Sequence, residues 1–349
     1  MRRPSGAFWL SLFVIWWFTG VAVGFLLCTI LIAVVLAILA RTVLFERILQ
    51  NAVPKGAAVV ITGCSSGFGK GFALHLARQG FLVFAGVRKM EDGERLKHEL
   101  SDSATNNLIP IVCDVTKPDQ IIEAKRVVAA SVGEAGVFAL VNNAGIACFA
   151  PLEAMGMTDI RNVFETNVFG GIAMQKAFLP LLRQSHQHSG LRSRIVWIGS
   201  MAGLQALPMI TAYAATKFAV EALCDGSREE LRPLGVDICV IEPGAYDTEI
   251  PKMFNQTIDQ KSRRHLCTKE ELESWSVYEK RYAVLDKSSK AFFAAAAGID
   301  PVTMVLQRIL LAKFPPSRAI MGNDACALWW MAGLAPDYFN DVFFRNVMG

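Results

Sequence analysis

No run of basic residues is long enough to suggest nucleic-acid binding, and the formal net charge is only +4 over 349 residues, half of it from Arg2 and Arg3. Proteins that neutralise a nucleic-acid backbone need clustered cations, so no nucleic-acid partner is expected. No C-x-x-C pair occurs among the eight cysteines, which are scattered at Cys28, Cys64, Cys113, Cys148, Cys224, Cys239, Cys267 and Cys326. That spacing points to neither a metal site nor a dithiol redox motif, and a reducing compartment for the main domain is the simplest reading. Internal repeats and low-complexity segments are absent as well. The length then allows one large domain with an appendage, or two modest domains.

Charge is missing altogether from residues 4–40, a stretch of 37 residues in a chain that is 53% hydrophobic. About 20 apolar residues cross a bilayer core of roughly 30 Å. A secretory signal has an apolar region of only ~7–15 residues, and no small-x-small cleavage site follows this one. The stretch therefore reads as an uncleaved transmembrane anchor. It is long enough to tilt, to run past the interface, or to form a hairpin near Gly20 and Gly24. Arg2 and Arg3 flank it on one side, and Arg41, Arg47 and Lys55 on the other, a weak signal of orientation. The domain boundaries expected are an anchor over 1–50, a catalytic region over 54–250, and a lid with C-terminal extension over 251–349.

From Pro54 onward short apolar runs alternate with helical spacing. Strands are expected at 57–62, 82–86, 109–114, 139–142, 194–200 and 237–242, and helices at 69–79, 120–132, 159–182 and 213–231. Short buried strands separated by helices call for a parallel sheet covered on both faces. Right-handed crossovers then give an α/β, doubly wound parallel sheet of the kind that binds nucleotides. Between Tyr246 and Gly298 the alternation stops, and a polar helical segment takes the place where a substrate lid is expected.

The first strand leads into Thr62-Gly63-Cys64-Ser65-Ser66-Gly67-Phe68-Gly69. Glycine lets the backbone approach a pyrophosphate, and a helix start offers free N–H groups and partial positive charge. The spacing is G-x-x-x-G-x-G rather than G-x-G-x-x-G, and a plain tight turn is the rival reading. No acid ends the second strand to hold a ribose 2′-hydroxyl; the chain there reads Gly86-Val87-Arg88-Lys89. Arg88 could meet a 2′-phosphate, with Ser66 as a further donor, which leans towards NADP over NAD. Otherwise Arg88 is a solvated surface charge. Asp114, followed by Val115 after the third strand, could accept from an adenine amino group or serve as a turn residue.

Tyr213-Ala214-Ala215-Thr216-Lys217 places a phenol and an ammonium on one helix face. Free tyrosine has a pKa of about 10, too high for proton transfer at neutrality. A nearby ammonium and an oxidised nicotinamide both favour the phenolate. Ser200 is expected at the end of the fifth strand, where its hydroxyl could bind a substrate oxygen and steady developing charge. Asn167, on the long helix, could hold a water that passes protons between Lys217 and solvent. Each residue alone has a bland reading as core, turn or solvated face. Their order behind a glycine-rich turn is what points to catalysis.

Over about residues 57–249 the chain resembles the short-chain dehydrogenase/reductase family. The resemblance rests on Thr62 to Gly69, the Asn142-Asn143-Ala144-Gly145 turn, Asn167, Ser200, the Tyr213/Lys217 pair and Pro243-Gly244 with Thr248. It implies a Rossmann domain in which Tyr213 is the general acid/base and Lys217 lowers its pKa and binds the nicotinamide ribose. It also implies that Ser200 orients substrate, Asn167 supports a proton relay, and Asn142 lies beside the adenosine. Pro243, Gly244 and Thr248 would flank the nicotinamide, with Gly63, Ser65, Ser66, Gly67, Phe68 and Gly69 along the cofactor. A homodimer is implied on the same grounds.

Within the family, Phe314-Pro315-Pro316-Ser317-Arg318 and Gly322-Asn323-Asp324-Ala325 are similar to membrane-associated retinol and hydroxysteroid dehydrogenases and to 3-hydroxybutyrate dehydrogenase. Arg88 departs from the NAD-using members of that group. The activity expected is hydride transfer to or from a lipophilic alcohol or ketone, at an endoplasmic reticulum membrane with a cytosolic domain, or at a mitochondrial membrane. A short hydroxyacid is the other substrate class, with Arg263, Arg264 and His265 available to hold its carboxylate. A non-catalytic cofactor-binding protein is the remaining reading. Trp329, Trp330, Met331, Phe343 and Phe344 could add membrane contact or roof the pocket, and Asn255-Gln256-Thr257 is a glycosylation pattern.

Overall fold

The computed structural model describes residues 28–34, 53–249, 268, 270, 273, 274, 278 and 296–334. Most of the expected anchor and lid therefore lies outside the described residues, together with Arg263, Arg264, His265, the 255–257 pattern, Phe343, Phe344 and the side chains of Trp330 and Met331. Residues 28–34 are helical with exposed side chains, Leu31 at 64%. Among the described residues no helix is long and apolar enough to cross a membrane.

Seven parallel strands make one sheet in the order β3-β2-β1-β4-β5-β6-β7. They are β1 (Ala58–Ile61), β2 (Leu82–Val87), β3 (Leu108–Val112), β4 (Ala139–Asn142), β5 (Ser193–Ile198), β6 (Val236–Pro243) and β7 (Arg318–Met321). The helices that position the site are α1 (Gly67–Arg78), α2 (Met90–His98), α3 (Pro118–Val132), α4 (Met157–Phe164), α5 (Gly171–Ser189), α6 (Thr211–Leu231), α7 (Asp300–Leu311) and α8 (Asn323–Leu334).

The central strands are buried on both faces because their side chains alternate between two cores. Val59, Ile61, Val83, Val141, Ile198 and Ile241 enter one; Val60, Phe84, Leu140, Ile195, Trp197 and Val240 enter the other. Register is continuous across the reversal of strand order, with Ile61 opposite Val141 on β1–β4 and Asn142 opposite Trp197 on β4–β5. That reversal, between β1 and β4, opens a crevice beyond the carboxyl ends of the strands.

Two expectations are corrected. The helix expected at 159–182 runs from Met157 to Ser189 and carries a π-helical stretch over Glu165–Gly170. Such an extra-residue turn has no local sequence signature and occurs often at functional sites. β5 ends at Ile198, so Ser200 lies beyond it and caps the short turn Met201–Gly203, its Oγ accepting from the Ala202 amide. His186 and His188 lie in the last turn of α5, and His186 bonds the Leu191 carbonyl. β7 is an added strand that the apolar runs alone did not show.

Candidate active site

The first wall of the crevice is backbone. Gly63 and Gly67 have φ of +70° and +53°, a region that disfavours side chains. Gly69 is packed so tightly that a β-carbon there would lie 2.2 Å from the Gly63 carbonyl oxygen. Two residues outside the expected set hold this turn. The Thr62 hydroxyl accepts from the amides of Asn143 and Ala144, at 3.0 and 2.9 Å. Asn143 Nδ2 donates to the carbonyls of Thr62 and Gly63, at 2.8 and 3.2 Å. Thr62 and Asn143 were visible in the motifs, but their mutual role depends on β1 and β4 being neighbours.

The α1 N-terminus opens into the crevice without a side-chain cap, although Ser66 stands at the capping position. Its amides remain available to an anion. Ser65 is exposed and Ser66 half-buried. Phe68 stacks on Phe72 and meets Tyr246 edge-on. Thr248 crosses above Gly67, where a β-carbon would sit 3.4 Å from the Thr248 Cβ. Arg88 is exposed just past β2. Asp114 forms a turn, its Oδ1 accepting from the Thr116 amide and hydroxyl, so the turn reading accounts for that oxygen.

Val115 and Asn142 line a small cavity with Thr62, Asn167, Trp197 and Lys217. The Asn142 Oδ1 is buried without a hydrogen-bond partner. A buried acceptor of this kind calls for a donor, from an ordered water or from a ligand. Uncapped helix amides, a glycine turn with no room for side chains and this buried acceptor together fit a dinucleotide.

The second wall is made of side chains. Tyr213 and Lys217 are buried on one face of α6, with Lys217 Nζ 5.6 Å from the Tyr213 ring centre. Nζ donates to the Ile198 carbonyl at 2.8 Å. Burial pushes the Tyr213 phenol up to about 12, against the pull of its hydrogen bond with Ser200. Among the protein's own groups, then, desolvation outweighs the expected acidifying effect of Lys217, whose ammonium is turned to a carbonyl. Burial also depresses Lys217 to about 8, partly offset by Glu221.

Asn167 sits in the π-helical turn and is fully engaged as a donor. Its Nδ2 donates to the Ile146 carbonyl and the Thr216 hydroxyl at 2.9 and 3.0 Å, and its Oδ1 accepts from the Ile146 amide at 2.8 Å. It thus ties the loop after β4 to α6. On the β6 side, Pro243 ends the strand and Gly244 leads away from it. Asp324 at the start of α8 accepts from the Ala245 amide, and a β-carbon on Gly244 would collide with that carboxylate. Asp324 is a further residue whose part in the site only the fold reveals.

Cys148, Ala150, Met155, Ala202 and Ala212 surround Tyr213 in a separate apolar cluster, with Met209 and Ile210 packed against it. Met209 is the only described non-glycine residue with positive φ, +70°, and its carbonyl accepts from the Ala150 amide.

A short chain dehydrogenase profile matches residues 57–259. The chain is 40% identical over 191 residues to D-beta-hydroxybutyrate dehydrogenase of Bos taurus, covering 54% of each. It therefore spans about half the length of that relative. Over 293 residues it is 32% identical to estradiol 17-beta-dehydrogenase 2 of Rattus norvegicus, covering 83% of this chain and 74% of that one. Retinol dehydrogenase 7 of Mus musculus is 32% identical over 290 residues, with 81% and 86% covered. Two solved structures share the fold. A Burkholderia phymatum short-chain dehydrogenase/reductase in complex with NAD has TM-score 0.64 at 22% identity, with 83% of this chain and 95% of that one covered. A Burkholderia cenocepacia enzyme in complex with NADP has TM-score 0.60 at 22% identity, with 84% and 98% covered. With a profile over more than half its length and long relatives above 30% identity, the chain belongs to the short-chain dehydrogenase/reductase family.

Proposed function

We propose that the protein is an NAD(P)-dependent oxidoreductase that transfers hydride between nicotinamide and a lipophilic alcohol or ketone, a retinoid, steroid or related lipid. The observation that carries this reading is the meeting of Ser200, Tyr213 and Lys217 at the carboxyl edge of the sheet: a hydroxyl bonded to a buried phenol, with an ammonium beside its ring.

Gly63, Ser65, Ser66, Gly67, Phe68 and Gly69 would hold the dinucleotide at the α1 N-terminus, with Val115 and Asn142 on one side and Pro243, Gly244 and Thr248 on the other. When bound, the nicotinamide supplies or takes the hydride. Tyr213 gives a proton to a substrate carbonyl oxygen, or takes one from a hydroxyl, and Ser200 holds that oxygen and stabilises its developing charge. Lys217 favours the phenolate while its charge is present. Asn167 fixes the α6 turn that carries both groups, in support of a relay from Lys217. Arg88 and the lack of an acid after β2 favour NADP, with NAD as the other choice.

The apolar surroundings of Tyr213, made by Cys148, Ala150, Met155, Ala202 and Ala212, support a lipophilic substrate. The similarity to a hydroxybutyrate dehydrogenase favours a short hydroxyacid as the second reading. We assign residues 1–50 as a membrane anchor, 54–250 as the catalytic region and 251–349 as lid and extension, in a homodimer at the endoplasmic reticulum or mitochondrial membrane. The uncharged stretch 4–40 supports the anchor.

The test is turnover of retinol, a steroid alcohol and 3-hydroxybutyrate with each cofactor, followed by absorbance of the reduced nicotinamide. The lipid alcohols should turn over and the acid should not. Tyr213→Phe should lower the rate by about 10²–10⁴-fold, the usual worth of a positioned acid/base, while nucleotide affinity stays unchanged. Equal turnover in that variant would remove Tyr213 from the chemistry.

A further inference from the structure

A charge cluster, buried at Glu221 and Glu242 and open to solvent at Asp225, lies behind Lys217. Successive turns of α6 carry Lys217, Glu221 and Asp225, and Arg318 on β7 reaches the two acids. Its Nε lies 2.8 Å from Glu221 Oε2, and its Nη2 2.7 Å from Asp225 Oδ2. Glu242, on β6, is fully buried; its nearest cation is the same Arg318 Nε, at 3.4 Å from its Oε1. Both Glu242 oxygens lack a hydrogen-bond donor, and so does Glu221 Oε1.

The two carboxyl groups converge on Gly199. A β-carbon there would lie 3.2 Å from Glu221 Oε1 and 3.3 Å from the Glu242 Cγ. Gly199 stands between Ile198, whose carbonyl receives Lys217, and Ser200. The other titratable neighbours lie on the same elements. Arg228 on α6 is paired with Asp225, and the thiols of Cys224 and Cys239 are kept neutral by burial.

Two carboxylates with three orphaned oxygens in a dry site repel each other and forgo hydration without recovering hydrogen bonds. One proton between them removes the repulsion and supplies the missing donor. We propose that Glu221 and Glu242 share one proton and act as a positioning pair for Lys217, holding a single negative charge one helical turn behind its ammonium.

Burial and the charge of Glu221 push Glu242 up to about 8, and burial also raises Glu221 despite Arg318. Loss of the shared proton adds a second negative charge behind Lys217, which strengthens its hold on its own proton. The pair and the lysine therefore titrate together. The consequence for chemistry rests on the roles given above to Tyr213 and Lys217; the shared proton does not.

The proton is visible in the full wild-type chain by infrared difference spectroscopy with ¹³C-labelled glutamate. A protonated carboxyl band should persist at pH 7, fade around pH 8 and vanish in Glu242→Gln; in Glu221→Gln, where burial still acts on Glu242 but the neighbouring charge is gone, it should fade at lower pH. Stability gives a second readout. Between pH 4.5 and about 8 the folded chain keeps a proton that the unfolded chain releases, so stability falls with rising pH across that window. Glu242→Gln lacks this slope, so the wild-type Tm minus the variant Tm should decrease from pH 5 to pH 8. In hydride transfer, Glu221→Gln should move the Lys217 limb of the pH profile to lower pH; a purely structural defect would lower its height without moving it. Absence of the band above pH 6, or parallel Tm curves, overturns the shared proton, and the wild-type spectrum decides even where a variant does not fold. A limb that stays in place with the band present overturns the positioning role. No turnover with the band present breaks the enzymatic reading instead.

Discussion

On the β1 side of the crevice the site is backbone: Gly63, Gly67 and Gly69, the free amides of α1, and carbonyls held by Asn143. On the β5–β6 side it is side chains that ionise: Tyr213, Lys217, Glu221 and Glu242, all buried. Peptide groups do not titrate in the physiological range, so the first half is indifferent to pH but intolerant of an added methyl group. The second half has the opposite weakness. Its side chains are expensive to charge when desolvated, and their protonation is part of the structure. The same sheet edge is thus guarded by sterics on one side and by electrostatics on the other.

The largest effect that would separate the halves is expected from Lys217→Met. Hydride transfer should fall by about 10²-fold or more if the ammonium supports proton transfer, measured at pH 7 with saturating nucleotide. The same variant should change stability in a defined window. Lys217 is held near 8 when folded against 10.5 when free. Between those values the unfolded chain binds the extra proton, so wild-type stability rises with pH by about 3 kcal/mol in all, an order-of-magnitude figure. Lys217→Met should lack that rise in Tm between pH 8 and pH 10. A variant with the same slope as wild type would show that the ammonium is not desolvated, and the comparison would fail on its electrostatic side.

Gly69→Ala probes the other half. Its methyl group would lie 2.2 Å from the Gly63 oxygen and 2.4 Å from Asn143 Nδ2, so the turn must shift. Overpacking of this kind costs about 1–3 kcal/mol. Lower Tm and weaker binding of both dinucleotides are expected, with the pH dependence of Tm unchanged. A changed pH slope would mean that the two walls are coupled.

Most of this architecture is legible in the chain. The apolar runs locate six strands, and β4 at Ala139–Asn142 coincides with its expected limits, because strands buried on both faces read as continuous apolar segments. The four-residue spacing of Tyr213 and Lys217 states which helix face they share. What stays hidden is set by long-range contact. β7 is four half-buried residues and carries no distinctive run. Glu242 reads as the last polar residue of a strand until Glu221 and Arg318 are packed against it. The π turn at Glu165–Gly170 leaves no mark on the helical periodicity around Asn167. Asp324 meets Ala245 across 79 residues, a pairing that local pattern cannot contain.

Arg88 offers the smallest and sharpest test, because it is the one charged side chain assigned to the backbone-built half. It is exposed at the end of β2. An exposed charge contributes little to folding, so Arg88→Ala should leave Tm within about a degree or two of wild type. Its contribution should appear only against a 2′-phosphate, where an arginine presents several donors to one dianion. Loss of one such contact at a solvated site is worth about 1.4 kcal/mol, or roughly tenfold in affinity. Fluorescence titration should then show NADPH binding weakened about tenfold with NADH unchanged, which would make the glycine half selective through a single cation. Equal affinities for the two nucleotides in both wild type and variant would leave Arg88 a solvated surface charge, and the β1 side would bind by backbone alone.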